Sequence, residues 1–173
     1  MSKREAVLTT TDEMEFVTLL GSIYEHSPWV AEQLWRLKSQ HPIGSYDEMS
    51  KIQQAMRDIV DASTEEEKLI LLRAHPDLAG KAALSGELTD ASKSEQAGAG
   101  LDQCSEDELA HFLQLNDAYR SKFGFPFIMA VKGATKAQIL AGFMERSPND
   151  WQTEFDRAIQ EVHKIAGFRL AEF

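Results

Sequence analysis

Cysteine is nearly missing from this chain: Cys104 is the only one among 173 residues. A lone thiol closes no intrachain disulfide, so the fold does not require an oxidising compartment. Cys104 stands just before an acidic helix start and reads as structural or incidental. Basic blocks are missing too. Lys and Arg number 18 against 28 Asp and Glu, the formal net charge is −10 and the sequence pI is about 4.9. That balance argues against nucleic acid or an anionic membrane surface as a partner. An anionic substrate would need positive charge supplied locally, against the overall field. No apolar run approaches the roughly 20 residues of a membrane-spanning helix. The polar start Met1-Ser2-Lys3-Arg4-Glu5 leads into no signal-type apolar region, and the closing Ala171-Glu172-Phe173 is not a peroxisomal address. A bacterial-style cytoplasm is therefore the expected location. Also absent are convincing strand alternation, internal repeats, low-complexity tracts, the G-x-S-x-G elbow, the phosphate loop and the dinucleotide fingerprint.

What is present is ordinary in bulk and informative in pattern. Hydrophobic residues make up 43% and charged residues 27%, as in soluble globular proteins. The length suits one domain with its own core, residues 1–173. Helix signals recur from end to end, and predict an all-α bundle of about eight to ten helices. Thr11 and Glu13, before Phe16, Val17, Leu19 and Leu20, open a first helix. Ser27-Pro28-Trp29 reads as an N-cap with proline at the first helical position. Met49, Ile52, Met56, Ile59 and Val60 carry a helical period across 46–60. Thr64-Glu65-Glu66-Glu67 puts acids in the first turn of a helix ending near Ala74. Ser105 to Glu108 is a capping box for a helix towards Tyr119. Thr135 begins a helix to about Glu145, and Ser147-Pro148-Asn149-Asp150 begins the last.

Two stretches interrupt this pattern. Residues 84–104 are rich in Gly, Ser, Thr and Ala, with a short helix expected around Asp90 to Gln96. Residues 123–131, Phe-Gly-Phe-Pro-Phe-Ile-Met-Ala-Val, are apolar, interrupted by proline and too short for a helix. An extended segment inside a helical protein leaves backbone N–H and C=O groups in need of partners. Those groups can serve a small polar ligand, or the segment can simply plug the core.

His75-Pro76-Asp77-Leu78 is the strongest candidate for chemistry. The proline ring pushes His75 out of the α region, so the imidazole stands at a helix-to-loop corner. Imidazole is the side chain that ordinarily titrates near neutral pH. Twenty residues on, Glu95 and Gln96 offer a carboxylate and an amide ahead of Ala97-Gly98-Ala99-Gly100. The last helix adds a second clue. At ~100° per residue, Arg169 returns to the angle of Trp151, on the stripe of Phe155, Ala158, Ile159, Val162, Ile165 and Ala166. A buried arginine needs a partner. An acidic side chain, an anionic ligand, or snorkelling of a residue near the end would each meet that need. His26, His41, His111 and His163 have no catalytic-looking neighbour and read as surface or helix-flanking residues. His75, Asp77 and Glu95 match none of the familiar zinc-ligand spacings, so no metal is expected.

These residues resemble the 2-oxo-4-hydroxy-4-carboxy-5-ureidoimidazoline (OHCU) decarboxylase family over almost the whole chain. The likeness is carried by Phe16 to Gly21, Glu25-His26-Ser27-Pro28-Trp29, and Arg73-Ala74-His75-Pro76-Asp77-Leu78-Ala79-Gly80. It continues through Ser92-x-x-Glu95-Gln96-x-Gly98-Ala99-Gly100-Leu101, Asn116-x-x-Tyr119-x-x-Lys122-Phe123-Gly124-Phe125-Pro126-Phe127, and Lys164-Ile165-Ala166-x-x-Arg169-Leu170. The resemblance implies an all-α fold, a homodimer, and a lyase of purine catabolism acting without cofactor or metal. It implies His75 as the essential catalytic residue, with Glu95 and Arg169 beside it. Substrate contacts would come from Pro76, from Ser92, Lys93, Ser94, Glu95 and Gln96, and from the backbone of Phe127, Ile128, Met129, Ala130 and Val131. The implied reaction is decarboxylation to (S)-allantoin, the last step from urate. A metal-dependent amidohydrolase and a helical interaction module docking through its Phe-Gly-Phe-Pro-Phe segment are the competing readings.

Overall fold

Hydroxyl and carboxylate caps punctuate the chain and decide where its helices begin. Ser2, Asp12, Thr64, Thr89, Ser105 and Thr135 each accept the N–H three residues on, which satisfies one orphan donor of a helix start. Ser2/Glu5, Thr64/Glu67, Ser105/Glu108 and Thr135/Gln138 close reciprocal capping boxes. The computed structural model describes residues 1–173, the side chain of Ala82 left aside. Among the described residues the helices are α1 Lys3–Thr9, α2 Glu13–Leu20, α3 Trp29–Gln40, α4 Met49–Ala62, α5 Glu65–Arg73, α6 Lys81–Ser85, α7 Asp90–Gly98, α8 Glu106–Phe123, α9 Lys136–Arg146 and α10 Trp151–Ala171. A 3-10 turn spans Leu101–Gln103, and no strand occurs among the described residues. The all-α expectation is met.

Several boundaries differ from expectation for local reasons. A helix, α1, precedes the one expected first, and Asp12 rather than Thr11 caps α2. Ser27 does not cap α3: its hydroxyl donates to the Glu25 carbonyl at 2.9 Å, and Pro28 takes the cap position. Helix α4 starts at Met49, three residues beyond Tyr46. Short α6 carries no strong periodicity and was not foreseen. His163 is buried at 5% exposure, against its reading as a surface residue.

The chain divides into two compact units, 1–74 with 165–173, and 75–164. In the first, α3 packs against α2 and α4, and α1 against α2. Phe16, Leu20, Leu34, Ile52, Met56, Leu71 and Leu72 form its core. Lys38 lies over the Phe16 and Trp35 rings, 5.1 and 5.5 Å from their centroids, and burial lowers its pKa. Arg169, at 8% exposure, is in this unit and does not snorkel. Its Nη1 sits 2.7 Å from Glu25 Oε2, itself buried, and 3.1 Å from the Ser22 carbonyl. An acidic partner is thus present for the arginine found by helical phase.

The second unit is built on aromatic packing. Tyr119 touches the rings of Phe123, Phe125, Phe127 and Phe143, with Phe127 stacked on Phe143 at 3.8 Å and Trp151 on Phe155 at 4.8 Å. Inside this cluster Arg146 and Glu154, 3% and 0% exposed in their side chains, pair at 2.9 Å. Glu154 also accepts from the Tyr119 hydroxyl and from Asn149 Nδ2. Burial and that carboxylate push the Tyr119 phenol well above its ordinary pKa, keeping it a donor.

Removing one partner of a buried ion pair strands the other charge. Glu25→Ala should therefore cost about 3–5 kcal/mol in urea unfolding, and the double change Glu25→Leu with Arg169→Met should recover most of it. An equal loss in the double variant would show that the pair itself, not the stranded arginine, carries the stability.

Candidate active site

The turn after α5 is where helix geometry stops and site geometry begins. Ala74 caps α5, and Pro76 bars His75 from continuing it. His75 is 6% exposed, so the imidazole is an interior group. Ala79 has φ +50, a left-handed conformation uncommon for a residue with a Cβ. Neighbouring side chains hold it there. Gln96 Oε1 accepts the Ala79 N–H at 2.9 Å, and Gln96 Nε2 donates to the Asp77 carbonyl at 3.1 Å. Asn116 Nδ2 donates to the Leu78 carbonyl at 2.8 Å, and Arg120 Nε donates to Asp77 Oδ1 at 2.8 Å. Gly80 completes the turn, because a Cβ there would fall 2.5 Å from that of Asp77.

Helix α7 brings the second set of candidates to the same neighbourhood. At about 100° per residue, Ser92, Glu95, Gln96 and Ala99 share one face. Ser92, Gln96 and Ala99 are buried and Glu95 is half-buried, whereas Lys93 and Ser94 are exposed. Gln96 stitches this face to the backbone two and four residues beyond His75. Both ends of its amide are already in use, which gives it a structural task alongside the expected contact with substrate.

The segment 125–131 plugs the core, one of the two roles left open for it. Its Phe125 and Phe127 rings are fully buried in the aromatic core. Gly142 of α9 makes room for it: a Cβ there would lie 3.2 Å from Met129 Sδ and 3.3 Å from the Phe127 ring. Arg146 Nη1 donates to the Ile128 carbonyl at 2.7 Å, and its guanidinium lies over Phe127 at 4.4 Å. The buried Glu161 carboxylate accepts the Ala130 N–H at 2.9 Å. Burial opposes ionisation of Glu161, but the Ala130 N–H, Lys164 and Arg157 outweigh it and hold the carboxyl below its usual range. Among the described residues, no protein partner meets the N–H or C=O of Phe127 or of Met129.

Of the expected site residues, His75, Pro76, Ser92 to Gln96 and Phe127 to Val131 all belong to the unit 75–164. Arg169 belongs to the other unit, with Glu25. Asn116, Arg120, Arg146, Glu154 and Glu161 were not singled out for a role. The last two had a readable signal, since both fall within about 80° of the α10 stripe that exposed Arg169. Among the described residues no three His, Cys, Asp or Glu side chains are placed to hold a metal, and no helix is long and apolar enough to cross a membrane.

Comparison with known proteins points one way. The family model for OHCU decarboxylase matches residues 9–171. A 2-oxo-4-hydroxy-4-carboxy-5-ureidoimidazoline decarboxylase of Haloferax volcanii is 47% identical over 161 residues, 93% of this chain and 90% of that protein. A solved (S)-allantoin synthase superposes with TM-score 0.77 at 35% identity, covering 99% of this chain, which spans about half (54%) of that one. An OHCU decarboxylase crystallised in the presence of (S)-allantoin gives TM-score 0.64 at 27% identity over 83% of this chain and 89% of its own.

Two tests follow from the clamp on 77–79. Gln96→Leu and Asn116→Leu, which each leave buried peptide groups unmatched, should lose about 1–3 kcal/mol in urea unfolding. Arg120→Ala removes a pair whose arginine is 43% exposed and should lose less than about 1 kcal/mol. Equal losses would mean that burial does not rank these contacts. In acid, the depressed Glu161 carboxyl should support the fold above its ordinary pKa and through the usual carboxylate range. That support should disappear as pH falls through its folded value; a Glu161→Gln protein with an unchanged acid-unfolding curve would contradict this.

Proposed function

This chain belongs to the OHCU decarboxylase family, and from that premise we propose that it converts 2-oxo-4-hydroxy-4-carboxy-5-ureidoimidazoline to (S)-allantoin and CO2. The observation that carries the reading is the buried His75, set at the head of a turn that Gln96 ties to the α7 face bearing Ser92 and Glu95. The substrate has a carboxylate and a hydroxyl on one ring carbon, next to a carbon doubly bonded to nitrogen. As the bond to CO2 breaks, its electron pair forms a new C=C bond and the C=N electrons move to nitrogen, which takes a proton. The resulting enol loses its hydroxyl proton to become the ketone, and the adjacent carbon is protonated on one face. Starting from the carboxylate, one proton is consumed overall. The substrate is its own electron sink, so the reaction needs no cofactor.

The protein's task is then to place proton donors and acceptors. In this reading His75 exchanges the hydroxyl proton. Glu95, on the same face as Gln96, orients the imidazole or the ureido group and delivers the stereo-defining proton. Pro76 and Ser92 to Gln96 line the substrate, and the peptide groups of 127–131 read its urea-like edges. Arg169 supplies a rigid donor fork to a polar oxygen of the substrate. The enzyme works in the cytoplasm as a homodimer, so sedimentation should give twice 19.4 kDa.

The assay generates the unstable substrate in situ from urate with the two preceding enzymes and follows optical activity by circular dichroism. Rapid appearance of the (S)-allantoin signal is expected; a trace no faster than spontaneous racemic decay sinks the proposal. His75→Ala should lower the rate by about 10²–10⁴-fold with its helical far-UV signal intact. Arg169 is tested by the Glu25→Leu, Arg169→Met double variant. Loss of turnover in that folded protein assigns Arg169 to substrate, and full turnover restricts it to pairing with Glu25.

A further inference from the structure

Residues 127–131 lie outside any helix or strand, so no regular ladder holds their backbone. Two buried charged side chains hold it instead. Arg146 grips the Ile128 carbonyl while lying over the Phe127 ring, and Glu161 receives the Ala130 N–H. Each is itself fixed. Arg146 is braced by Glu154, which also takes the Tyr119 hydroxyl and Asn149. Glu161 is braced by Arg157 at 2.9 Å and Lys164 at 3.0 Å.

The two gripped groups are related in a way that matters. In an extended chain the C=O of one residue and the N–H of the residue two places on leave by the same edge, and the intervening residue faces the other. Ile128 and Ala130 have that spacing and are gripped at that carbonyl and that N–H, while the peptide groups of Phe127 and Met129 have no protein partner among the described residues. A carboxylate on the buried side of α10 is also expensive. Leucine would fit a position followed by Val162 and would spare the desolvation of a charge. Arg157 and Lys164 are 46% and 56% exposed, so they would find water without Glu161. The Ala130 N–H, by contrast, belongs to backbone outside any helix and requires an acceptor at this point.

We propose that Glu161, with Arg146 beside it, is a positioning residue: it fixes the Ala130 peptide and so aims the peptide groups of Phe127 and Met129 at the substrate. The inference rests on 127–131 being a substrate-contacting segment.

Three variants separate the roles of Glu161. Glu161→Gln keeps an acceptor oxygen at the same reach. Glu161→Asp keeps the charge beside Arg157 and Lys164 but withdraws the acceptor by one methylene. Glu161→Leu removes both. KM and kcat are measured with substrate generated in situ, and amide exchange across 127–131 is followed with and without (S)-allantoin. In the wild-type protein the ligand should slow exchange at Phe127 or Met129. Glu161→Asp and Glu161→Leu should raise KM by about tenfold or more, the loss of roughly one well-placed hydrogen bond, and abolish that protection. Glu161→Gln should stay within about threefold of wild type, a rescue that charge pairing alone would not give. If Glu161→Leu does not fold, the Asp and Gln pair decides the matter. Wild-type KM in Glu161→Asp, with ligand protection intact, overturns the inference alone. Absence of ligand protection in the wild-type protein removes the segment from the substrate site, and the inference falls with it.

Discussion

An all-helical protein that places irregular backbone in its interior must find partners for peptide groups that no helix can satisfy. Helices consume their own N–H and C=O groups; the turn at 77–79 and the segment at 127–131 do not. In both places side chains from other helices supply partners, and at 127–131 they reach the Ile128 carbonyl and the Ala130 N–H. Gln96 and Asn116 serve the first stretch, Arg146 and Glu161 the second. The choice of side chain follows the job. Amides can give and accept at once, which suits a turn presenting both groups. Charged side chains act over a single bond each, and must themselves be neutralised.

That need accounts for the polar interior of the second unit. Arg146 calls for Glu154, and Glu154, once buried, fills its remaining lone pairs with the Tyr119 hydroxyl and Asn149. Glu161 draws in Arg157 and Lys164. The first unit meets the same constraint at Arg169 and Glu25. Each pair costs desolvation that a hydrophobic substitute would avoid. What the second unit gains is irregular backbone held in one conformation. For a reaction whose substrate carries its own electron sink, fixed geometry and placed protons are most of what catalysis requires.

Much of the fold was legible in the chain. The capping box at Ser105, the acidic first turn after Thr64, the start at Thr135 and the period of α4 marked helices the structure contains. Pro76 announced the corner at His75, and helical phase placed Arg169 on a buried face. The errors arose where two local signals competed. Ser27 had the look of a cap, but its hydroxyl found the Glu25 carbonyl instead. His163 looked peripheral because no partner stood near it in sequence, yet it is buried.

Sequence alone therefore determined the helical class, most helix starts, the break at His75 and the place of Arg169 on the apolar stripe of the last helix. These depend on interactions within about four residues, which the order of residues specifies directly. Only the tertiary structure decided that Glu25 answers Arg169, that Gln96 reaches back 17 residues to the turn, that Asn116 reaches 38, and that Glu161 reaches 31 to Ala130. Such pairs are chosen by packing between distant elements, where many donors and acceptors are chemically equivalent and only burial and direction distinguish them.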